Sequence, residues 1–433
     1  MNRRLLLFGL FLILVLELLR PFSLRLMPGV SYKNLALYLL LIFLGLRAAT
    51  SPQGMRFRDL DVHAVFLAFL LYVFISWAVL AALDPTYNSW RGFVAMKGQW
   101  LDYYLLLLIY RYGIDSLEDA LWLLKACTLT LLLITVPIFM DYVNLPNLAF
   151  FGTHKGRAEG LMGEANIYGA FLVFFLPIAF AVLVNRRPRP GWFWKLTLVL
   201  CVFMLLATGS RGAYVAAIVG PIAATWYLRR YVNARAIFRI GGQSLLALAI
   251  LGALAVVIFD LWFIVERLFA IDPQSSAGRI DIWSAALRVM LEWPMSFVVG
   301  YGWNAFGESG LWKSAHSEYI NALYELGVIG LLLLVVLFAV VIGRSRAALR
   351  SMPPELGRLQ IAHIYAMVAV MVDVVFVQVQ SFWPLFWIYA GLMMCVQAHC
   401  NEAVAGKESA EPVAEPPAPD ESYRLPGASA FRG

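Results

Sequence analysis

The chain has 433 residues, of which 61% are hydrophobic and only 14% are charged. Soluble globular proteins are about half apolar and about a quarter charged, so this composition excludes a soluble fold and indicates an integral membrane protein. The net charge of +7 does not indicate a nucleic-acid-binding protein, because the basic residues lie in short loops between apolar runs, where they report membrane topology.

Apolar runs long enough to cross a membrane recur along the chain. A helix needs about 20 residues to span the hydrocarbon core. The sequence therefore predicts an all-α integral membrane protein with about twelve transmembrane helices, near residues 5–20, 33–48, 64–82, 98–110, 119–140, 165–184, 192–208, 212–229, 243–264, 316–342, 360–377 and 381–397. No small-residue cleavage site follows the first run, and we interpret it as a span or signal anchor.

The loop arginines and lysines predict the orientation of these helices. If the N-terminus is cytoplasmic, most of them fall on the cytoplasmic side, as membrane proteins prefer. A wrong number of spans would scramble this bias, so the bias supports twelve spans with both termini in the cytoplasm. The candidate functional residues then fall on the extracytoplasmic side.

This topology predicts four regions. Residues 1–264 hold helices one to nine, residues 265–315 form a long extracytoplasmic loop, residues 316–397 hold the last three helices, and residues 398–433 form a cytoplasmic tail. The loop contains an amphipathic stretch at 279–291, which predicts short helices lying on the membrane surface. The tail is rich in Pro, Ala and Glu, which predicts disorder.

The cysteines and sequence motifs point to no metal or cofactor. Cys127, Cys201, Cys395 and Cys400 lie in or beside apolar runs and form no CxxC pair, so we interpret them as small packing residues. The chain also contains no HExxH, P-loop or GxGxxG context. We therefore expect no metal site, no cofactor and no nucleotide chemistry.

Basic side chains from distant parts of the chain are predicted to meet at the outer membrane boundary. Arg211 is the sharpest case, because the turn 209–212 between two predicted spans is too short to leave the membrane surface. A guanidinium held at headgroup depth can grip the phosphate oxygens of a lipid-linked anion. The alternative is an interfacial arginine that extends to lipid phosphate. Arg157 and Arg279 allow the same phosphate-binding reading, beside the alternatives of a solvated loop and a local ion pair with Asp281.

His154 and His316 are the histidines predicted to face outward. A neutral imidazole can accept a proton from an attacking hydroxyl at neutral pH, and the alternative for His316 is a helix cap or a headgroup contact. Acids inside predicted spans include Asp102, Glu325 and Asp373. Intramembrane acids indicate function by default, so Asp102 and Asp373 could orient a base or bind sugar hydroxyls; the alternative is a buried ion pair or helix-end contact.

Several motifs together resemble the O-antigen ligase and polymerase superfamily, which assembles bacterial surface polysaccharides. The resemblance is strongest over residues 165–340, and it rests on the segments 208–212 (TGSRG), 278–283 (GRIDIW), 300–302 (GYG) and 316–330 (HSEYINALYELGVIG). The stretch 160–169, with Gly163, Asn166 and Gly169, is also similar to the family. The chain departs from the family at Ser317, where Asn often follows the histidine.

The resemblance implies transfer of a glycan from an undecaprenyl-diphosphate carrier to an acceptor hydroxyl on the outer face of the inner membrane. It implies that Arg211 and Arg279 hold the diphosphate with help from Arg157, and that His316 assists the attacking hydroxyl. We count His316, Arg211 and Arg279 as catalytic candidates. The candidates for binding substrate are Arg157, Lys97, His154, Asn166 and Tyr319.

The substrates and the precise reaction remain open at this stage. An inverting, metal-independent ligase that uses lipid A–core as acceptor is favoured, with membrane lipid as a further partner. A polymerase that uses a second lipid-linked repeat is close behind, and a protein O-glycosylating ligase is a third possibility. A transporter is the alternative from another class, and it would be expected to carry its site near the membrane midplane.

Overall fold

The computed structural model describes residues 3–18, 25–27, 29–50, 58–143, 153–154, 156–185, 191–235, 237–239, 242, 256–257, 262, 265–266, 273–310 and 314–410. These residues form a helical bundle. Its helices are α1 (Arg3–Leu18), α2 (Tyr32–Thr50), α3 (Leu60–Leu83), α4 (Ser89–Met96), α5 (Asp102–Tyr112), α6 (Leu117–Tyr142), α7 (Ala165–Val184), α8 (Trp192–Ala207), α9 (Arg211–Tyr227), α10 (Pro273–Glu292), α11 (Ser296–Val299), α12 (Glu318–Ala348), α13 (Pro354–Asp373) and α14 (Trp383–Ala410).

Six of these helices are long and apolar enough to cross a membrane: α2, α3, α6, α7, α12 and α13. The protein is therefore a multi-pass membrane protein. Other helices overlap all the remaining predicted spans except one. The predicted span 243–264 lies outside the described residues apart from three positions, so the count of twelve stays a prediction.

The predicted fourth span is the least regular. The span predicted at 98–110 corresponds to a π-helical turn over Lys97–Leu101 and the short α5, and α4 leads into that turn. A π-turn widens a helix and is frequent at functional sites. Here the turn begins at Lys97, whose carbonyl oxygen accepts from the N–H of Asp102, five residues along the chain.

The all-α prediction holds except for two short hairpins. β1 (Arg25–Met27) pairs with β2 (Val30–Ser31), and β3 (Thr153–His154) pairs with β4 (Arg157–Ala158), both antiparallel. Within residues 265–315 lie α10, which has 20 residues, the short α11 and a 3₁₀ turn at Phe306–Glu308. The position of this segment on the membrane surface stays a prediction.

The last helix continues into the segment predicted to be a disordered tail. α14 ends at Ala410, thirteen residues beyond the predicted end of the final span at 397. Residues 401–410 contain Ala, Glu and Lys, which favour helix, and they extend a helix that tertiary packing has already nucleated. Residues 411–433 lie outside the described residues.

The core of the bundle lies around α7, α13 and α14. α7 is the most buried of the six candidate spans, while α2 and α3 expose apolar side chains such as Leu39, Ile42 and Leu71, as lipid-facing helices do. α9 packs closely on α13 through Gly212, Ala216 and Gly220. A Cβ added to Gly220 would lie 2.5 Å from Ala369 Cα, so this spacing of small residues lets the two backbones approach.

Ion pairs concentrate at one end of the bundle, which we call the ion-pair end. Buried Asp59 accepts from Arg111 at 2.6 Å and also pairs with Arg344. Arg3 pairs there with Asp119, and Arg47 with Asp115. Arg344 is 26 residues along α12 from Glu318, about 39 Å at 1.5 Å per residue, so the start of α12 lies at the opposite end. We call that opposite end the site end.

Candidate functional site

Arg157 connects three segments at the site end. Its Nε donates to the carbonyl oxygen of Thr208 at 2.7 Å, and its Nη2 donates to Asn166 Oδ1 at 2.7 Å. Asn166 Nδ2 in turn donates to Glu164 Oε1 at 3.3 Å. Because Thr208 ends α8 immediately before the turn that leads to Arg211, Arg157 braces that turn.

Arg211 is the first residue of α9. The turn before it is only three residues long, with Gly209 at φ 57° and Ser210 as the N-cap, whose Oγ accepts from the Ala213 N–H at 3.4 Å. Arg211 is partly buried. A helix N-terminus carries a partial positive charge and free N–H groups. The start of α9 and the guanidinium of Arg211 therefore both favour an anion at this position.

Asp373, at the end of α13, lies directly beside this turn. A Cβ added to Gly212 would lie 2.9 Å from Asp373 Oδ1 and 2.8 Å from Phe376 Cβ. Asp373 is fully buried, and neither carboxylate oxygen has a hydrogen-bond partner among the described residues. The positive charge of Arg279 acts on it. The structure thus brings Asp373, a candidate from the sequence, into contact with the turn that carries Arg211.

His316 is held between α10 and α12. Its backbone is left-handed (φ 50°), and its N–H donates to Ser314 Oγ at 3.0 Å. Ser317 caps α12 by accepting from the Ile320 N–H at 3.3 Å. Trp283 of α10 donates from Nε1 to the carbonyl oxygen of Ala315 at 2.8 Å, one turn after Arg279. These contacts hold Arg279 and His316 on neighbouring segments.

Burial lowers the pKa of His316 below its ordinary value of 6.5, and the charge of Arg279 lowers that pKa further, whereas Glu164 raises it. The imidazole is therefore neutral at neutral pH and can accept a proton. The influence of Glu164 also shows that the segment 164–166 lies near His316.

These contacts close a ring of charged side chains. The Glu318 N–H donates to the carbonyl oxygen of Val374 at 3.0 Å, which joins the start of α12 to the end of α13. We call this set of residues the charged ring: Arg157, Glu164, Arg211, Arg279, His316 and Asp373. The three arginines and the histidine predicted from sequence all belong to it.

Three predicted residues lie differently. Tyr319 donates its hydroxyl to the carbonyl oxygen of Met371 at 3.0 Å, which is a packing contact between α12 and α13. His154 pairs with Arg157 through the backbone of the β3–β4 hairpin, and its side chain lies outside the described residues. Asn166 belongs to the bracing of Arg157. The substrate-binding roles of these residues stay predictions.

Lys97 lies in a neighbouring cavity of about 620 Å³. Its Nζ donates to the carbonyl oxygen of Gly29 at 2.9 Å and to Asp102 Oδ2 at 3.0 Å, and it lies 5.1 Å from the centre of the Tyr38 ring. The segment Leu161–Gly163 forms part of the wall. The cavity therefore adjoins Glu164 of the charged ring.

Glu325 has a supporting position. Its Oε1 accepts from the Phe306 N–H at 3.3 Å, and its carbonyl oxygen accepts from the Gly302 N–H at 2.9 Å. A Cβ on Gly300 would lie 2.2 Å from that carbonyl oxygen, and a Cβ on Gly327, at φ 65°, would lie 2.3 Å from the Val298 oxygen. The glycines of the motifs 300–302 and 325–327 thus let α11 and its following loop lie backbone to backbone on α12.

Glu164 and the cavity residues Asn34 and Gln380 were not among the candidate site residues from sequence. Glu164 follows Gly163 and directly precedes the predicted span 165–184. Its hydrogen bond with Asn166 and the effect of its charge on His316 place it in the site. Within the described ranges, no group of three or more His, Cys, Asp or Glu side chains could hold a metal ion. The four cysteines are all buried.

Comparisons with known proteins show what this chain is similar to. The O-Antigen ligase family model matches residues 196–335, a stretch that contains Arg211, Arg279 and His316. An O-antigen ligase of Pseudomonas aeruginosa is 28% identical over 298 residues. That alignment covers 66% of this chain and 66% of the relative, just under two thirds of the relative's length.

Proposed function

We propose that this chain, which resembles the O-antigen ligase superfamily, is a glycosyltransferase that moves a glycan from an undecaprenyl-diphosphate carrier to an acceptor hydroxyl. The observation that carries this proposal is the charged ring, which holds three arginines and a neutral histidine at one end of a membrane bundle, with Arg279 acting directly on His316. We place that end on the periplasmic face of the inner membrane, following the loop-charge bias of the sequence.

The reaction follows from the charges of the ring. The acceptor hydroxyl oxygen attacks the anomeric carbon of the donor sugar, and the bond from that carbon to the diphosphate oxygen breaks. His316 takes the hydroxyl proton, and the leaving diphosphate keeps the bonding electrons. Arg211 and Arg279 stabilise the negative charge that develops on the diphosphate, and Arg157 holds the Arg211 turn in place.

Fixed arginine charges can replace a metal ion at a leaving diphosphate, because preorganised charges stabilise the transition state without reorganising. We therefore propose a metal-independent reaction. A single displacement at the anomeric carbon inverts its configuration, so an inverting outcome belongs to the same proposal.

For the acceptor, we favour lipid A–core. The relative from Pseudomonas aeruginosa is named as an O-antigen ligase, which supports the ligase reading over a polymerase that extends a second lipid-linked repeat. The acceptor sugar would approach His316 from the side of α10 and the loop that follows it. A protein O-glycosylating ligase is the third candidate.

The depth of the charged ring disfavours a transporter. Secondary transporters carry their sites near the membrane midplane, where broken helices meet. Within the ring, Arg211 begins α9, Asp373 ends α13, and Glu164 and His316 lie just before α7 and α12, about a full helix length from the ion-pair end.

A transfer assay tests this function. Purified protein receives an undecaprenyl-diphosphate-linked glycan with either lipid A–core or a second lipid-linked repeat, in the presence of EDTA. We expect product on lipid A–core, whereas a ladder of lengthening lipid-linked glycan would assign a polymerase. Arg211→Ala and His316→Ala should each lose at least a hundredfold in rate.

Arg47→Ala is the matched control. Arg47 is an exposed arginine paired with Asp115 at the ion-pair end, so this variant should transfer glycan at the wild-type rate. Wild-type activity in both Arg211→Ala and His316→Ala would rule out the charged ring as the site.

A further inference from the structure

The cavity beside the charged ring contains charges that cancel. Lys33 Nζ lies 2.7 Å from Glu17 Oε2, and Lys97 Nζ lies 3.0 Å from Asp102 Oδ2. All four side chains line the cavity. Two cations paired with two anions leave no net charge for a diphosphate, whereas the charged ring has an excess of cations.

The remaining lining is also hydrogen-bonding in character. Asn34 donates from Nδ2 to Asp102 Oδ2 at 2.7 Å, which fixes the carboxylate. Gln99, Gln380 and Ser381 add groups that both donate and accept hydrogen bonds. Apolar side chains are the minority of the wall, so the lining suits hydroxyl groups better than a lipid chain.

The volume of the cavity, about 620 Å³, lies within the usual range of ligand sites, about 300–1,000 Å³. Its wall at Leu161–Gly163 leads directly into Glu164, whose charge acts on His316. The cavity wall and the charged ring are therefore joined by one continuous segment of the chain.

From these observations we infer that this cavity, lined by Glu17, Lys33, Asn34, Lys97, Asp102 and Gln380, binds the uncharged sugar units of a substrate glycan while the charged ring binds the diphosphate. This inference deepens the proposed function and rests on it for the identity of the ligand. The glycan has two sources, the donor repeat and the acceptor core, and both offer the same hydroxyl chemistry.

Gly98 offers a way to fill the cavity without removing any contact. A Cβ on Gly98 meets no heavy atom within 4 Å, and the residue lines the cavity, so Gly98→Trp should occupy the space that a sugar would use. Gly45→Trp is the matched control, because Gly45 also has open space around it but lies exposed on α2, outside the cavity.

The test measures binding of two lipid-free oligosaccharides, the repeat unit and the core, to purified protein by calorimetry. Wild type and Gly45→Trp should bind at least one of them with equal affinity, and Gly98→Trp should bind it at least tenfold more weakly. The oligosaccharide that binds identifies the source. Inorganic pyrophosphate, as a third probe, should bind all three proteins alike.

Equal binding by Gly98→Trp and wild type, or no binding of either oligosaccharide to wild type, overturns the inference. Asp102→Asn, which keeps the shape of the side chain, is the second variant if Gly98→Trp does not fold, and a weakened affinity for sugar is again expected. Because free oligosaccharides carry no diphosphate, this result is independent of whether transfer occurs, so a failed transfer assay and a failed sugar site are distinguishable.

Discussion

The basic residues of the charged ring are held in different ways, and these differences predict different mutational effects. Arg157 uses two nitrogens for two partners, the Thr208 carbonyl and the Asn166 amide. Arg211 depends on a capped helix start, and His316 depends on a left-handed backbone between α10 and α12. The basic side chains of the ring therefore depend on different contacts, and substitutions should affect each of them differently.

Arg157→Lys should lose at least tenfold in kcat/KM although it keeps the positive charge. A lysine has one nitrogen, so it cannot donate to the Thr208 carbonyl and to Asn166 in the same fork geometry. The measurement is the rate of transfer under subsaturating donor. Arg47→Lys at the ion-pair end is the control, and wild-type rates in Arg157→Lys would show that charge alone suffices.

The pH dependence of transfer should report His316. Its lowered pKa means that the neutral base persists below pH 6.5, and activity is lost as pH falls through this lowered pKa. Glu164→Gln removes the charge that raises the pKa, so the acid limb should move to lower pH. Arg279→Gln removes a charge that lowers it, so the limb should move to higher pH.

These two shifts are read from profiles of kcat/KM against pH, which report the free enzyme. The position of the acid limb is the readout rather than the maximal rate, because Arg279→Gln should also weaken donor binding. A limb that stays in place in both variants would exclude His316 as the titrating base.

At the scale of elements, close approach of helices sets the position of the ring. The small residues Gly212, Ala216 and Gly220 let α9 lie against α13, and the glycines at 300 and 327 seat the α11 loop on α12. The sequence predicted the helices themselves, because apolar length alone reveals them. It did not predict these contacts, which depend on the pairing of distant segments.

Gly220→Ala should destabilise the protein, and Gly343→Ala should not. A Cβ at position 220 would lie 2.5 Å from the backbone of Ala369, whereas one at position 343 has nothing within 4 Å. Overpacking costs about 1–3 kcal/mol, and the same substitution in open space favours helix. Thermal unfolding in detergent should show a lower midpoint for Gly220→Ala alone. Equal midpoints in the two variants would contradict a close approach of α9 and α13 at Gly220.

The candidate site was predictable in part for a physical reason. Arg211 and His316 stand at or just before the starts of α9 and α12, and Arg279 lies within α10. All three belong to the motifs that carry the family resemblance, so the sequence alone names them as candidates. Lys97 lines a cavity that the sequence did not predict. One of its partners, Gly29, lies 68 residues away along the chain, and only the fold brings the two together. The sequence did not predict Glu164 as a site residue. Its place in the charged ring follows from its hydrogen bond with Asn166 and from the effect of its charge on His316, and both depend on the fold.

At the scale of the whole molecule, the two ends of the bundle differ in the charged residues that they hold. The ion-pair end joins its arginines to Asp59, Asp115 and Asp119, whereas the site end holds the three arginines and the histidine of the charged ring beside the two ion pairs of the cavity. This difference agrees with an end that anchors the bundle and an end that receives an anion. The sidedness of the two ends is a prediction of the loop charges.

Single cysteines test that sidedness. Ser309→Cys at the site end should react with a membrane-impermeant maleimide added to cells with a permeabilised outer membrane, and Arg350→Cys at the ion-pair end should react only after lysis. Both positions are exposed, and the four native cysteines are buried, so background labelling should be low. The reverse pattern would invert the proposed orientation.

The three-residue turn between α8 and α9 has a kinetic consequence. With the site end at the boundary of the bilayer, as proposed, this turn holds Arg211 there, and a lipid-anchored donor should reach the arginine by diffusion within the plane of the membrane. The quantity that governs encounter is then the mole fraction of donor among the lipids, and the volume of the surrounding buffer does not enter. Diluting a fixed amount of donor with more phospholipid should slow an enzyme built in this way, whereas adding water should leave its rate unchanged.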